Sequence, residues 1–336
     1  MALNAMMTAM PNSPGRFRAA VSVGWLLLGL AAFAYARMKG IPAWAALPIA
    51  AAFLIEFPFY LLPAFDAARS GEKRLKQSWL LAGTCVAPYL VYSVPTGEFR
   101  LHGFMVLLSI ALAVSYWYRL LPKNALSDVL FIALLAGVYV SKIFAAIYLS
   151  PIPAVIRDLG ILGHLMLVRT AVIAILAIRG GVNVEFRFIP TAREWLIGVR
   201  WFALLVPLCG AELWAQGLAR LRPQTHHGVE AAGIALAEFA GILWVVALSE
   251  EFLFRGLLQQ WIGQWTGSSW GALILASLIF GSAHLGFHGP FPNWRFAFVA
   301  ASFGLCCGLA WRESRTIQAS MVTHALGATL YRVFFQ

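Results

Sequence analysis

The chain has 336 residues, 61% of them hydrophobic and only 12% charged, and its mean hydropathy is +0.77. Soluble domains carry about 25% charged residues, so this composition excludes one and calls for a polytopic membrane protein. The net charge of +11 does not call for nucleic acid, because the basic residues are spread over short loops between apolar runs, where they orient membrane helices.

In chain order, apolar runs long enough to cross a bilayer fall near 19–36, 42–65, 78–96, 103–118, 129–149, 161–178, 200–219, 234–262, 271–289, 296–311 and 316–334. The fold expected is an all-α polytopic membrane helix bundle of about 11 transmembrane helices (range 9–11), since the runs at 103–118 and 296–311 are short. Arg16 and Arg18 precede the first run and Ala34-Tyr35-Ala36 closes it, a pattern like a signal peptide. Further spans follow at once, which favours an uncleaved first helix. The longest connection, 179–199, reads as an amphipathic interfacial segment, with Trp195 and Trp201 suited to the headgroup zone. Residues 1–200 form an N-terminal helical region with no assigned role, and 201–336 form the core that carries the chemistry.

Fourteen of the 25 Lys and Arg fall in loops on the side of the N-terminus and eight on the other. The positive-inside rule then places the N-terminus in the cytoplasm. The expected location is the cell membrane, as a multi-pass protein of a bacterial inner membrane. Cys85, Cys209, Cys306 and Cys307 all lie inside apolar runs without metal-ligand spacing and read as small buried hydrophobes.

Ionisable residues inside a membrane are costly and mark function by default. Glu56, Lys142, His164, Arg169, Glu212 and Glu238 each stand alone in a run and read as snorkelling or interhelical structural groups. The stretch Ser249-Glu-Glu-Phe-Leu-Phe-Arg-Gly256 is different. Glu251 and Arg255 are four residues apart and can pair along one helix face. That leaves Glu250, about 100° around the helix, unpaired. Glu250 lies 17 residues before Gly267 and His284 lies 17 after it, so an antiparallel helix pair folded at Gly267 puts them at equal depth. His324, about eight residues into the last run, starts from the same side. Glu250, Glu251, Arg255, His284 and His324 can therefore converge on one polar pocket.

One free carboxylate and two imidazoles suit hydrolysis. The carboxylate takes a proton from water, one His positions that water, and the other donates to the oxyanion. Glu plus two His is also a zinc-hydrolase set, without the spacing of a single-helix motif. His288, four residues after His284, has metal spacing too, but Gly286, Gly289 and Pro290 crowd it. Gly304 and Gly308 form a GxxxG pair suited to close helix packing.

These residues resemble the CPBP family, also called the Abi or CAAX-protease family. Glu250 to Arg255 fit its EExxxR motif, Phe280 and His284 its FxxxH motif, and 304–326 its last helix pair bearing His324. The resemblance covers about 230–330. It implies an intramembrane endopeptidase in which Glu250 and His284 activate water, His324 belongs to the oxyanion hole, and Glu251 and Arg255 support the site. It implies no required cofactor, although the family was long described as metalloproteases and a divalent metal such as zinc stays open. The bilayer and a peptide or membrane-protein substrate are the expected partners. The family usually has Asn or Asp four residues after the last His, where this chain has Ala328; Thr323 and Asn293 are the nearest alternative donors. Two other readings remain: a non-catalytic membrane scaffold, motivated by Ala328, and an ion-coupled transporter, motivated by the scattered charges.

Overall fold

The computed structural model describes residues 14–65, 78–156, 158–180, 184, 187–221 and 228–335. These are helical, with no strand beyond a single bridge between Leu221 and Phe335 among the described residues. The chain forms two compact units, Met1–Gly181 and Val182–Gln336. It is a multi-pass membrane protein. Seven helices are long and apolar enough to cross a membrane, and two shorter apolar helices, Ala125–Val140 and Ser269–Ser282, accompany them.

The first unit holds α1 (Pro14–Lys39), α2 (Ala43–Leu61), α3 (Ser78–Thr96), α4 (Leu101–Leu120), α5 (Ala125–Val140), α6 (Ile143–Ile147) and α7 (Ile161–Ile173). The last of these continues as π-helix to Arg179. Pro48, Pro58, Pro88 and Pro95 lie inside α2 and α3; membrane helices tolerate Pro because neighbours re-satisfy the freed carbonyls. The expected span 129–149 is broken. Lys142 adopts the left-handed conformation (φ 53°) between α5 and α6, and it is exposed, outside any helix. Glu56 and Arg169, each expected to stand alone, bind each other between α2 and α7, and both are almost fully buried. Arg169 also donates to the hydroxyl and carbonyl of Thr84 at 3.1 and 3.0 Å. The pair leaves no net charge in the unit's interior, the arrangement that makes a buried charge tolerable.

The second unit holds α8 (Ala192–Ala215), α9 (228–266), α10 (Ser269–Ser282), α11 (Trp294–Ser314) and α12 (Ile317–Phe334). α8 starts within the segment expected to lie in the interface, eight residues before the expected span. Thr191 and Glu194 form a reciprocal capping box that begins the helix there. α9 ends where Gly267 takes a positive φ of 67°, and Ser268 caps α10 through the Gly271 amide. α10 stops at Ser282, seven residues before the expected end. His284 therefore lies in the turn after the helix, not inside it.

Within this unit α8 lies along α12, and α11 packs on both α8 and α10. Small residues set these approaches. A Cβ on Gly198 would sit 2.5 Å from Val322, and one on Gly281 would sit 2.4 Å from the Ala297 carbonyl oxygen. The chain before α8 is tied down by α9 and α12. Trp244 donates to the Phe188 carbonyl at 3.0 Å and Gln318 to the Arg187 carbonyl at 3.0 Å.

Candidate active site

α9 is not a uniform α-helix. Ile242–Ala247 and Phe252–Leu258 are π-helical, and Leu248–Glu251 is a short α-helical stretch between them. Glu250 and Glu251 thus sit between two π segments, a local distortion frequent at functional sites. Arg255 falls inside the second.

Glu251 is fully buried. Its carboxylate meets Arg255, with Oε2 3.2 Å from Nε and Oε1 3.3 Å from Nη1. The i,i+4 pair read from the sequence is present. Arg255 also donates from Nη2 to the Gly304 carbonyl on α11 at 2.6 Å, and its guanidinium lies 5.0 Å from the centre of the Phe280 ring. His324 on α12 reaches the same carboxylate, with Nδ1 2.7 Å from Glu251 Oε1. A carboxylate only accepts, so Nδ1 carries the proton and Nε2 is left facing outward. That Nε2 lies 3.9 Å from Glu250 Oε2.

Glu250 differs from its neighbour. Its side chain is 25% exposed, yet its Oε2 is buried and has no hydrogen-bond partner. One carboxylate is therefore sealed between an arginine and a histidine, and the adjacent one opens on accessible space. Glu250, Glu251, Arg255 and His324 come together.

His284 is held differently from the expectation. Its Nδ1 bonds the Phe280 carbonyl at 2.8 Å, and its ring lies 4.7 Å from the Phe280 ring. The carbonyl can only accept, so Nδ1 is again the protonated nitrogen and Nε2 is free to act. Among the described residues His284 forms no ion pair with Glu250. Phe280 links the two histidines, with its ring centre 6.0 Å from that of His324. Phe303 stands edge-on to His324 at 5.1 Å. Gly327 makes room for that ring, since a Cβ there would lie 2.7 Å from it.

His288 does not share a helix face with His284, because α10 has already ended. It has a φ of 52° and packs between Phe296 and Tyr331, 4.5 and 5.1 Å away. Thr323 donates to the carbonyls of Gly198 and Ala319 at 3.0 and 3.1 Å. Asn293 caps α11 and donates to the carbonyls of Phe287 and His288. Both are committed to backbone, so neither replaces the polar side chain missing at Ala328.

Cys307, read from sequence as an inert hydrophobe, lies beside the site. Ligand atoms of Glu251, Cys307 and His324 fall within 4.8 Å of one another. This donor set does not fit a divalent ion. Both oxygens of Glu251 face Arg255, and Oε1 also faces His324 Nδ1, so an ion would have to displace a buried guanidinium.

The family model described as Type II CAAX prenyl endopeptidase Rce1-like matches residues 232–330. Residues 232–330 form an Rce1-like region of the CAAX protease family. This region runs from α9 through nearly all of α12 and so contains every residue of the cluster. No curated protein and no solved structure matches the chain.

Proposed function

We propose that the Rce1-like region is an intramembrane endopeptidase that hydrolyses a peptide bond with a water activated by Glu250. The observation that carries this reading is the asymmetry of the two glutamates. Glu251 is sealed by Arg255 and His324, whereas Glu250 presents a partly exposed carboxylate with an unbonded oxygen.

In this reading Glu250 takes a proton from water. His284 positions that water through its free Nε2. Glu251 is a positioning residue that fixes the tautomer and direction of His324. With a proton on Nε2 as well, His324 donates to the oxygen that gains charge as the carbonyl carbon becomes tetrahedral. The proton taken by Glu250 passes to the leaving amine, which closes the balance without a covalent intermediate or a cofactor. Phe280 and Phe303 limit access of bulk water to the rings. The substrate class is a membrane-anchored peptide, of which a prenylated CAAX peptide is the form that the family description names. The setting is a cell membrane with the N-terminus in the cytoplasm.

The direct test uses full-length protein in lipid nanodiscs with fluorogenic prenylated and unprenylated CAAX peptides. Cleavage that is lost in Glu250→Gln and in His284→Gln supports the proposal. Cleavage that survives both substitutions refutes it. A non-catalytic scaffold is the second reading, favoured by Ala328 and by the engagement of Thr323 and Asn293 elsewhere. A cellular phenotype unaffected by Glu250→Gln would favour it.

A further inference from the structure

The inward stripe of α9 does not end at Arg255. Glu251, Arg255 and Gln259 follow at four-residue intervals, and Gly263 and Gly267 continue the spacing to the end of the helix. Gln259 is only 3% exposed, and both its amide nitrogen and its amide oxygen lack a hydrogen-bond partner. Burying both halves of an amide without partners carries a desolvation cost that nothing in the protein offsets.

The amide faces α11 at a site with no side chain. A Cβ on Gly308 would lie 3.1 Å from Gln259 Oε1. One turn earlier on α11, the Gly304 carbonyl accepts from Arg255. The GxxxG pair thus does more than bring α10 close. It leaves a groove along which a guanidinium and an amide lie in succession. Arg255 has five N–H donors and contacts only Glu251 and the Gly304 carbonyl among protein oxygens, so donors remain. At the outer end, Gly263 is already partly accessible. One helical turn, about 6 Å, separates it from the buried amide.

We infer that Gln259 binds water and is the central station of a water file. The file runs in the groove between α9 and Gly304–Gly308, from the end of α9 to the Glu251–Arg255 pair. Water satisfies an amide that offers both donor and acceptor, and a buried water needs two to four such partners. Extending the hydrolytic reading of the site, the file supplies the water that peptide cleavage consumes, by a route separate from the face where Glu250 is exposed. Gln259 is a positioning residue here and touches no substrate.

Radiolytic footprinting of the full chain in lipid nanodiscs tests this. Hydroxyl radicals made in place from bound water oxidise side chains beside that water. Cys307 is fully buried and lies at the inner end of the file beside Glu251, so it is the reporter. Cys209, buried in an apolar cluster with Leu205, Leu213 and Val299, is the control. The expected result is oxidation of Cys307 but not of Cys209, reduced several-fold in Gln259→Leu and in Gln259→Met and partly retained in Gln259→Asn. Two apolar variants are used because one of them can fail to fold. Cys307 left unmodified in the unsubstituted protein overturns the proposal. So does equal modification in the apolar variants, because water then arrives past Glu250. The footprint needs no substrate, so it succeeds or fails independently of the endopeptidase reading. Where cleavage is measured, the apolar variants lower kcat and leave KM unchanged.

Discussion

Glu251 and His324 are joined at 2.7 Å although 73 residues separate them in the chain. The bond runs between α9 and α12 and lies at the centre of the second unit. Because Arg255 shares the same carboxylate, the loss of Glu251 leaves a buried guanidinium without its counter-charge. Glu251→Ala is expected to destabilise the protein by about 3–5 kcal/mol, read as a lower unfolding midpoint in detergent or nanodiscs. Glu250→Gln is expected to leave that midpoint unchanged while lowering any peptidase rate by roughly 100-fold or more. Equal effects of the two substitutions on stability would contradict the division of roles.

The coupling of Glu251 to His324 can be measured directly. A double-mutant cycle with Glu251→Gln and His324→Gln is expected to show an interaction of about 0.5–3 kcal/mol, the range for residues in contact. Additive effects would mean that the 2.7 Å contact is not maintained in the membrane.

Metal removal should change nothing. The acceptors of Glu251 are occupied by Arg255 and His324, so extended incubation with a chelator is expected to leave both unfolding midpoint and activity intact. Elemental analysis of purified protein should find less than stoichiometric zinc. Activity lost to the chelator and restored by zinc would overturn the reading of the donor set.

The glycines of the second unit are set by contact. A Cβ on Gly308 would lie 2.3 Å from Leu273, and one on Gly198 would lie 2.5 Å from Val322. Gly308→Val and Gly198→Val are each expected to cost about 1–3 kcal/mol by overpacking. Gly233, with nothing near its Cβ position, serves as the control, and Gly233→Ala should leave the unfolding midpoint unchanged or raise it.

In the first unit the Glu56–Arg169 pair makes a contrasting prediction. Glu56→Gln alone should destabilise by about 3–5 kcal/mol, and the double substitution Glu56→Met, Arg169→Met should recover most of that loss. A transport function would instead make the double variant inactive in flux while folded, which proteoliposome assays would detect.

The parts of this arrangement that depend on spacing along one helix were legible in the sequence. Glu251 and Arg255 pair because four residues bring side chains onto one face. The approximate positions of the helices followed from apolar length. Contacts between distant segments were not legible, because nothing local encodes them. His324 was expected opposite the unpaired carboxylate, and it bonds the paired one. Glu56 and Arg169 were taken as solitary, yet 113 residues apart they neutralise each other. Cys307 carried no signal, since a thiol in an apolar run reads as a small hydrophobe whatever lies beyond it. Helix ends were misread where caps decide them: the Thr191–Glu194 box starts α8 early, and the Gly- and Pro-rich stretch after Ser282 stops α10 before His284.

The two π segments of α9 have a consequence for register. Each wider turn holds one residue more than an α-turn would. Deleting a single residue from 252–258 would let that stretch relax into ordinary α-helix and keep the chain continuous. Everything beyond the deletion would turn by about 100° relative to Glu250 and Glu251. The fold could survive such a shortening, but the arginine would no longer face the carboxylate it neutralises. The helix therefore acts as a combination dial, in which the chemistry depends on a count of residues as much as on which residues they are.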